Sequence, residues 1–108
     1  MNAEEIREYV LRKPDVTECF PFGEDTLVFK VGGKVFALIA LESSPLQFNV
    51  KCDPGKAIEL REEYPENILP GYHMNKKHWN TVIADRHLSR KQLQEMLDDS
   101  YRLVAKKR

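Results

Sequence analysis

Residues 71–79, GYHMNKKHW, gather two histidines, two adjacent lysines, an asparagine, a tyrosine and the chain's single tryptophan into nine positions. Imidazoles ligate metals and move protons, ammonium groups neutralise phosphates, and an amide beside aromatic rings hydrogen-bonds to or stacks on bases. A metal site needs its ligands on one face. His73 and His78 are five positions apart, a spacing that suits neither one side of a helix nor one side of a strand. Cys52 would join them only through a fold contact, and no carboxylate pair lies nearby in sequence. No metal and no cofactor is expected, and the two histidines read as polar surface groups.

Nucleophilic catalysis finds no better support. Cys19 precedes FPFG, and Cys52 falls at an inward strand position, where a free cysteine acts as a small hydrophobe. Ser43, Ser44 and Pro45 read as a turn. Glu59, Glu62 and Glu63 lie on the solvent side of a helix, the usual place for a charged face. Gly32-Gly33-Lys34 stands between two strands rather than ahead of a helix, so it is a hairpin turn and not a phosphate cradle. The chain is not expected to be an enzyme.

Nucleic-acid binding remains. Lys76 and Lys77, joined by Lys51 and by Arg86, Arg90 and Lys91, are candidates to neutralise phosphates. Tyr72, His73 and Trp79 offer stacking or wedge groups, Asn75 offers a base-edge amide, and His78 a further hydrogen-bonding group. The competing reading buries Trp79 in the core at the start of a strand and leaves the lysine pair on an exposed turn.

The charge pattern sharpens this choice. Seventeen basic and 17 acidic residues cancel, so no whole-molecule field attracts a polyanion. Residues 1–52 carry −2, residues 53–66 carry −3, and residues 71–91 carry +4. The motif therefore opens the most basic segment of a neutral chain. At 108 residues, with 42% hydrophobic and 31% charged side chains, the chain reads as one domain, 1–108. No apolar run approaches the roughly 18 residues of a membrane span, and MNAEEIREYV lacks the apolar core of a secretory signal. Two cysteines 33 positions apart make no disulfide framework. A cytoplasmic setting follows.

The elements that must position the motif show in the periodicity. Asn2 with Glu5 fits a capping box, and Ile6, Tyr9 and Val10 give a narrow helical stripe ending near Pro14. From Thr26 the period becomes two. TLVFKV and KVFALIAL flank Gly32-Gly33 as a hairpin, the second strand being apolar on both faces and so central and doubly covered. In LQFNVKC, Leu46, Phe48, Val50 and Cys52 point inward while Gln47, Asn49 and Lys51 point out. Asp53 caps a helix with Pro54 at its first position, Ala57, Leu60 and Tyr64 inside, and Pro65 as its stop. HWNTVIAD reads as a strand. Ser89 with Gln92 starts the last helix, on which Leu93, Met96, Leu97, Tyr101 and Val104 share a face. The order helix, three or four strands, helix, one or two strands, helix predicts an α+β domain. Its antiparallel sheet should carry the terminal helices on one face.

PFG (21–23), FKVGGKVFAL (29–38), NVKCDP (49–54), PGYHMNKKHWNTV (70–82) and SYRLV (100–104) occur in an order that resembles the MmcQ/YjbR family. These are small bacterial proteins usually described as DNA-binding, and the group is also called CyaY-like. The resemblance spans nearly the whole chain. It implies an α+β fold with an antiparallel sheet and a double-wing surface, similar to the C-terminal domain of the phage transcription factor MotA. It implies double-stranded DNA as partner and a place for His73 to Trp79 on or beside a wing, and it carries over no agreed set of catalytic residues. The runner-up is a protein- or small-ligand-binding module whose partner the sequence does not name. In it the same motif lines a groove between the sheet and a helix.

Overall fold

Capping chemistry sets the helix starts where the sequence places them. In the computed structural model, which describes residues 1–71 and 74–105, helix α1 (Ala3–Leu11) begins with a reciprocal pair. Asn2 Oδ1 accepts from the Glu5 N–H at 2.8 Å, and the Asn2 N–H donates to Glu5 Oε1 at 2.9 Å. Helix α2 (Pro54–Glu63) starts from Asp53, whose Oδ2 accepts from the N–H groups of Gly55 and Lys56. Helix α3 (Arg90–Ala105) repeats the reciprocal pair with Ser89 and Gln92. Each cap satisfies amides that the first helical turn leaves without partners.

The strands are β1 (Val16–Cys19), β2 (Thr26–Val31), β3 (Lys34–Ala40), β4 (Leu46–Lys51), β5 (Ile68–Pro70) and β6 (Trp79–Ala84). They form an antiparallel sheet in the order β1-β2-β3-β4-β6-β5. Gly32 and Gly33 take φ of 57° and 81°, the left-handed conformations of the tight β2–β3 turn. The fold is α+β, as expected, with four strands before α2 and two after it. Strand β1 was not legible as a strand. It has only four residues, and one of its core-side positions is Glu18. That carboxylate is held by Arg7 of α1 through Nε at 2.7 Å and Nη2 at 2.6 Å. The same guanidinium keeps the Glu18 carboxyl below the ordinary carboxylate range.

All three helices contribute to one apolar cluster on one face of the sheet. Ile6 and Val10, Leu27, Phe29 and Ile39, Phe48 and Val50, Val82, and Leu93 and Leu97 are buried there together. The register of β4 is the expected one, with Phe48 and Val50 inward. Leu60 and Tyr101 are only partly buried against this cluster. Leu38 is buried but faces the opposite side, paired between Val28 and Asn49. A bulge explains why two successive residues of β3 face the core: opposite Phe29 and Lys30 the pairing jumps from Ala37 to Val35 and skips Phe36. Phe36 joins Ala37 on the helix side, its ring edge-on to Tyr101 at 5.5 Å.

Bulges leave backbone groups without ladder partners. Here a side chain takes them. The hydroxyl of Ser100 on α3, fully buried, donates to the Phe36 carbonyl and accepts from the Lys51 N–H at 2.8 Å. A single serine thus bridges β3 and β4 where the ladder opens.

Helix α1 is tied to α3 by polar contacts as well as by its narrow stripe. The Tyr9 hydroxyl donates to Asp98 at 2.8 Å, Lys13 Nζ lies 2.5 Å from the same carboxylate, and Arg90 reaches Glu5 at 2.6 Å. Burial first, then the bond to Asp98 and its negative charge, push the Tyr9 phenol up to about 12. The protonated phenol is the folded-state form. Its contribution to stability is therefore complete below the ordinary phenol range and lost as pH rises towards about 12. An alkaline absorbance titration should show a late phenol that is absent in Tyr9→Phe. A Tyr9 that ionises in the ordinary phenol range would contradict the contact.

Candidate functional site

The motif is a turn built on its own asparagine. Asn75 Oδ1 accepts from the Lys77 N–H at 2.9 Å, and the Asn75 carbonyl accepts from His78 at 3.2 Å and Trp79 at 3.0 Å. The turn is stitched to the sheet at both sides. The Cys52 N–H donates to the His78 carbonyl at 2.7 Å, and the Gly71 N–H to the Trp79 carbonyl at 2.9 Å. Gly71 fits because it lacks a side chain, since a Cβ there would stand 2.8 Å from Trp79 Cβ and 3.0 Å from Trp79 O.

Arg61 of α2 is the clamp. Its Nε donates to Asn80 Oδ1 at 2.8 Å, and its Nη2 donates to the carbonyls of Trp79, at 3.1 Å, and of Lys76. A planar guanidinium reaches all three acceptors at once, which one ammonium does not. Asn80 is buried, so its carbonyl oxygen depends on this partner. Nothing in the sequence singled out Arg61, which sits among Glu59, Glu62 and Glu63 on a helix read as charged and solvated.

The face of the sheet away from the helices is organised in rows by the strand pairing. One row reads Cys19, Val28, Leu38, Asn49, Thr81, Leu69, and the next reads Thr26, Ala40, Gln47, Ile83. A third, one step the other way, includes Thr17 with Lys30 and Lys51 with Trp79. Trp79 is half-buried on this face and lies outside the apolar core, so the reading that buries it there does not hold.

Because the strands alternate in direction, that third row marks an end of the sheet where five lysines meet. Lys30 closes β2, Lys34 opens β3, Lys51 closes β4, and Lys76 and Lys77 precede β6. Lys30, Lys34, Lys76 and Lys77 make no ion pair among the described residues. Asp15 and Asp53 also stand at this end, the latter committed to capping α2. The opposite end carries Glu24, Asp25, Glu42, Glu66 and Asp85 in the segments that border the strands. Asp85 is held below its ordinary range by the His87 N–H, then by Asn67 and the His87 ring.

The basic segment of the sequence is accordingly not one surface. Arg86 follows β6 at the acidic end, about 20 Å of strand away from Lys77. Arg90 is paired with Glu5. Lys51, at the end of β4, lies at the same end as the lysine pair, Asn75 and His78 flank that pair, and Tyr72 and His73 lie outside the described residues. Lys30 and Lys34 were missed. Their signal was present in the hairpin, which sends its turn to the end where β4 finishes.

A groove of about 390 Å³ lies on the helix-free face. Leu38, Gln47, Asn49 and Thr81 line its floor, with Phe22 from the segment before β2 and Met74 from the motif beside them. The motif does reach a groove, but loops and sheet form it rather than a sheet and a helix. Thr81 Oγ1 donates to Asn49 Oδ1 at 2.5 Å across β4 and β6. Among the described residues no group of three or more histidines, cysteines or carboxylates is placed to hold a metal. Cys19 and Cys52 are free thiols, and burial pushes the Cys52 thiol up. No helix among them is long and apolar enough to cross a membrane.

The YjbR family model matches residues 11–103, from the last residue of α1 through nearly all of α3. The chain belongs to the YjbR family. The YbdF protein of Escherichia coli O157:H7, described as uncharacterized, is 42% identical over 102 residues, 94% of this chain and 82% of the relative. The uncharacterized YjbR protein of Escherichia coli strain K12 is 28% identical over 101 residues, covering 94% of this chain and 85% of its own. A crystal structure of a Deinococcus radiodurans protein with a DUF419 domain superposes at a TM-score of 0.94 and 42% identity. It covers 98% of this chain and 80% of the other. A Pseudomonas syringae protein superposes at 0.77 and 26% identity, over 96% of this chain and 99% of that one. Within this YjbR domain the family match takes in the whole sheet, the Arg61 clamp, all five lysines of the basic end and the groove.

Proposed function

We propose that this YjbR-family domain is a cytoplasmic, non-catalytic DNA-binding protein that holds duplex phosphates with the lysine-rich end of its sheet. The observation that carries the reading is the convergence of Lys30, Lys34, Lys51, Lys76 and Lys77 at one end, with Glu24, Asp25, Glu42, Glu66 and Asp85 at the other. Such a separated arrangement orients a neutral protein towards a polyanion that its net charge does not attract. Asn75 and His78 supply hydrogen bonds beside the lysine pair. The loops carrying Phe22 and Met74, on either side of the helix-free face, play the part of two wings.

Binding is expected to be weak, with Kd on the order of 10⁻⁴–10⁻⁶ M at physiological salt as for non-specific complexes. A salt titration with a mixed-sequence duplex tests the reading. The log–log slope should flatten by roughly 1.8 in Lys76→Ala/Lys77→Ala, about 0.9 for each phosphate that is no longer neutralised. Melting should be nearly unchanged, because exposed lysines contribute little to folding. No detectable binding to any duplex pool at low salt would overturn it. A second reading, a small-ligand- or protein-binding module, draws on the groove beside Met74.

A further inference from the structure

The face that holds the groove also carries Lys30 and Lys51 at the lysine end, and this juxtaposition has a chemical meaning. Among the described residues that line the groove, none is charged. Such a lining suits a neutral group. The floor is not merely apolar, because it carries two carboxamides from alternate positions of β4, Gln47 and Asn49. They lie about 7 Å apart along the strand, a span that a bicyclic heterocycle bridges.

The bond from Thr81 fixes the Asn49 oxygen and leaves its Nδ2–H groups as donors, while the Gln47 amide offers both a donor and an acceptor. Neither Asn49 Nδ2 nor the Gln47 side-chain amide has a hydrogen-bond partner among the described residues. A carboxamide is a group that reads the mixed donor–acceptor edge of a base, as Asn or Gln does with adenine. Two softer groups stand beside the floor, the phenyl ring of Phe22 and the thioether of Met74. Phe22 is 71% exposed, so its ring has a face open to a stacking partner. One step along β4 from Asn49, on the same face, comes Lys51, in the row that leads to Lys76 and Lys77.

We infer that the groove takes one unpaired nucleobase, stacked on Phe22 and bonded to Gln47 and Asn49, with its phosphate towards the lysine end. The inference rests on the DNA-binding reading and extends it: the ligand is a base with its phosphate, presented by a single strand or by a free nucleotide. A base inside a duplex has no access to such a groove without leaving the stack.

The test compares three probes on the full chain at low salt: a short single-stranded DNA, the duplex of the same sequence, and adenosine 5′-monophosphate. The single strand should bind more tightly than the duplex, and the mononucleotide should compete with it. Phe22→Ala and Gln47→Leu should each lower single-strand affinity roughly tenfold, the scale of removing one base–aromatic stack. They should leave the salt slope and the melting temperature unaltered. Phe22 is solvent-exposed, so its removal does not threaten folding. If both variants bind the single strand as the parent does, while the lysine variants still flatten the slope, the inference falls and the DNA-binding reading stands. If neither strand binds but the mononucleotide does, and Phe22→Ala abolishes it, the groove is a free-nucleotide site and the DNA reading falls. If no probe binds, both fall.

Discussion

Arg61→Ala should destabilise the domain by about 2–3 kcal/mol, because it strands a buried acceptor and removes charge-assisted bonds in one step. Asn80 Oδ1 loses its donor, and the carbonyls of Trp79 and Lys76 are no longer tied to α2. The Trp79 carbonyl keeps the Gly71 N–H, so strand pairing at that point survives. Melting should fall by about 10 °C for a domain of this size. Arg61→Lys should recover little, because a single ammonium does not span the three acceptors. DNA affinity should fall as well, although Arg61 touches no phosphate in this account, because the turn that presents Lys76 and Lys77 loses its clamp. Unchanged melting in Arg61→Ala would show that the guanidinium contacts carry no weight.

Ser100→Ala should cost about 1–3 kcal/mol, the range for leaving buried polar groups unpaired. The loss of one oxygen atom is trivial in volume, so a cavity does not account for an effect of that size. The cause is the bulge: with Phe36 out of register, the Phe36 carbonyl and the Lys51 N–H have the Ser100 hydroxyl as their bridge. Native-state hydrogen exchange gives the more specific readout. The Lys51 amide should exchange faster in Ser100→Ala, relative to the amides of β2. Equal protection of Lys51 in both proteins would mean that the serine is not the bridge.

These two residues mark the limit of what was legible in the sequence. Signals that act within a few residues were readable: the pairs Asn2–Glu5 and Ser89–Gln92, Asp53 before Pro54, the glycine turn, and the alternation of β4. Each rests on local geometry that tertiary context did not alter. Strand β1 was not readable, because its core-side Glu18 only makes sense once Arg7 lies above it. Strand β5 has three residues, too few for a period to show. Arg61 and Ser100 look ordinary until the turn and the bulge they serve are in place.

The candidate site was half legible. Residues 74–79 of the motif lie beside the sheet, with the lysine pair exposed, but grouping charge by sequence segment joined Lys77 to Arg86 across the length of a strand. The relevant grouping is set by strand direction. It brings in Lys30 and Lys34 from more than 40 positions away in the chain. Likewise, the inward–outward pattern gave the groove its floor, while Phe22 and Met74 beside it depend on how two loops fold back, which no periodicity encodes.

The most direct test of the account separates those two groupings. Duplex-DNA affinity is measured against salt for the parent, for Lys30→Ala/Lys34→Ala at the basic end, and for Arg86→Ala/Lys91→Ala within the basic segment but at the opposite end. If the end of the sheet is the interface, the first pair flattens the log–log slope by roughly 1.8, and the second leaves it as it was. A slope that responds to Arg86 and Lys91 but not to Lys30 and Lys34 would contradict it.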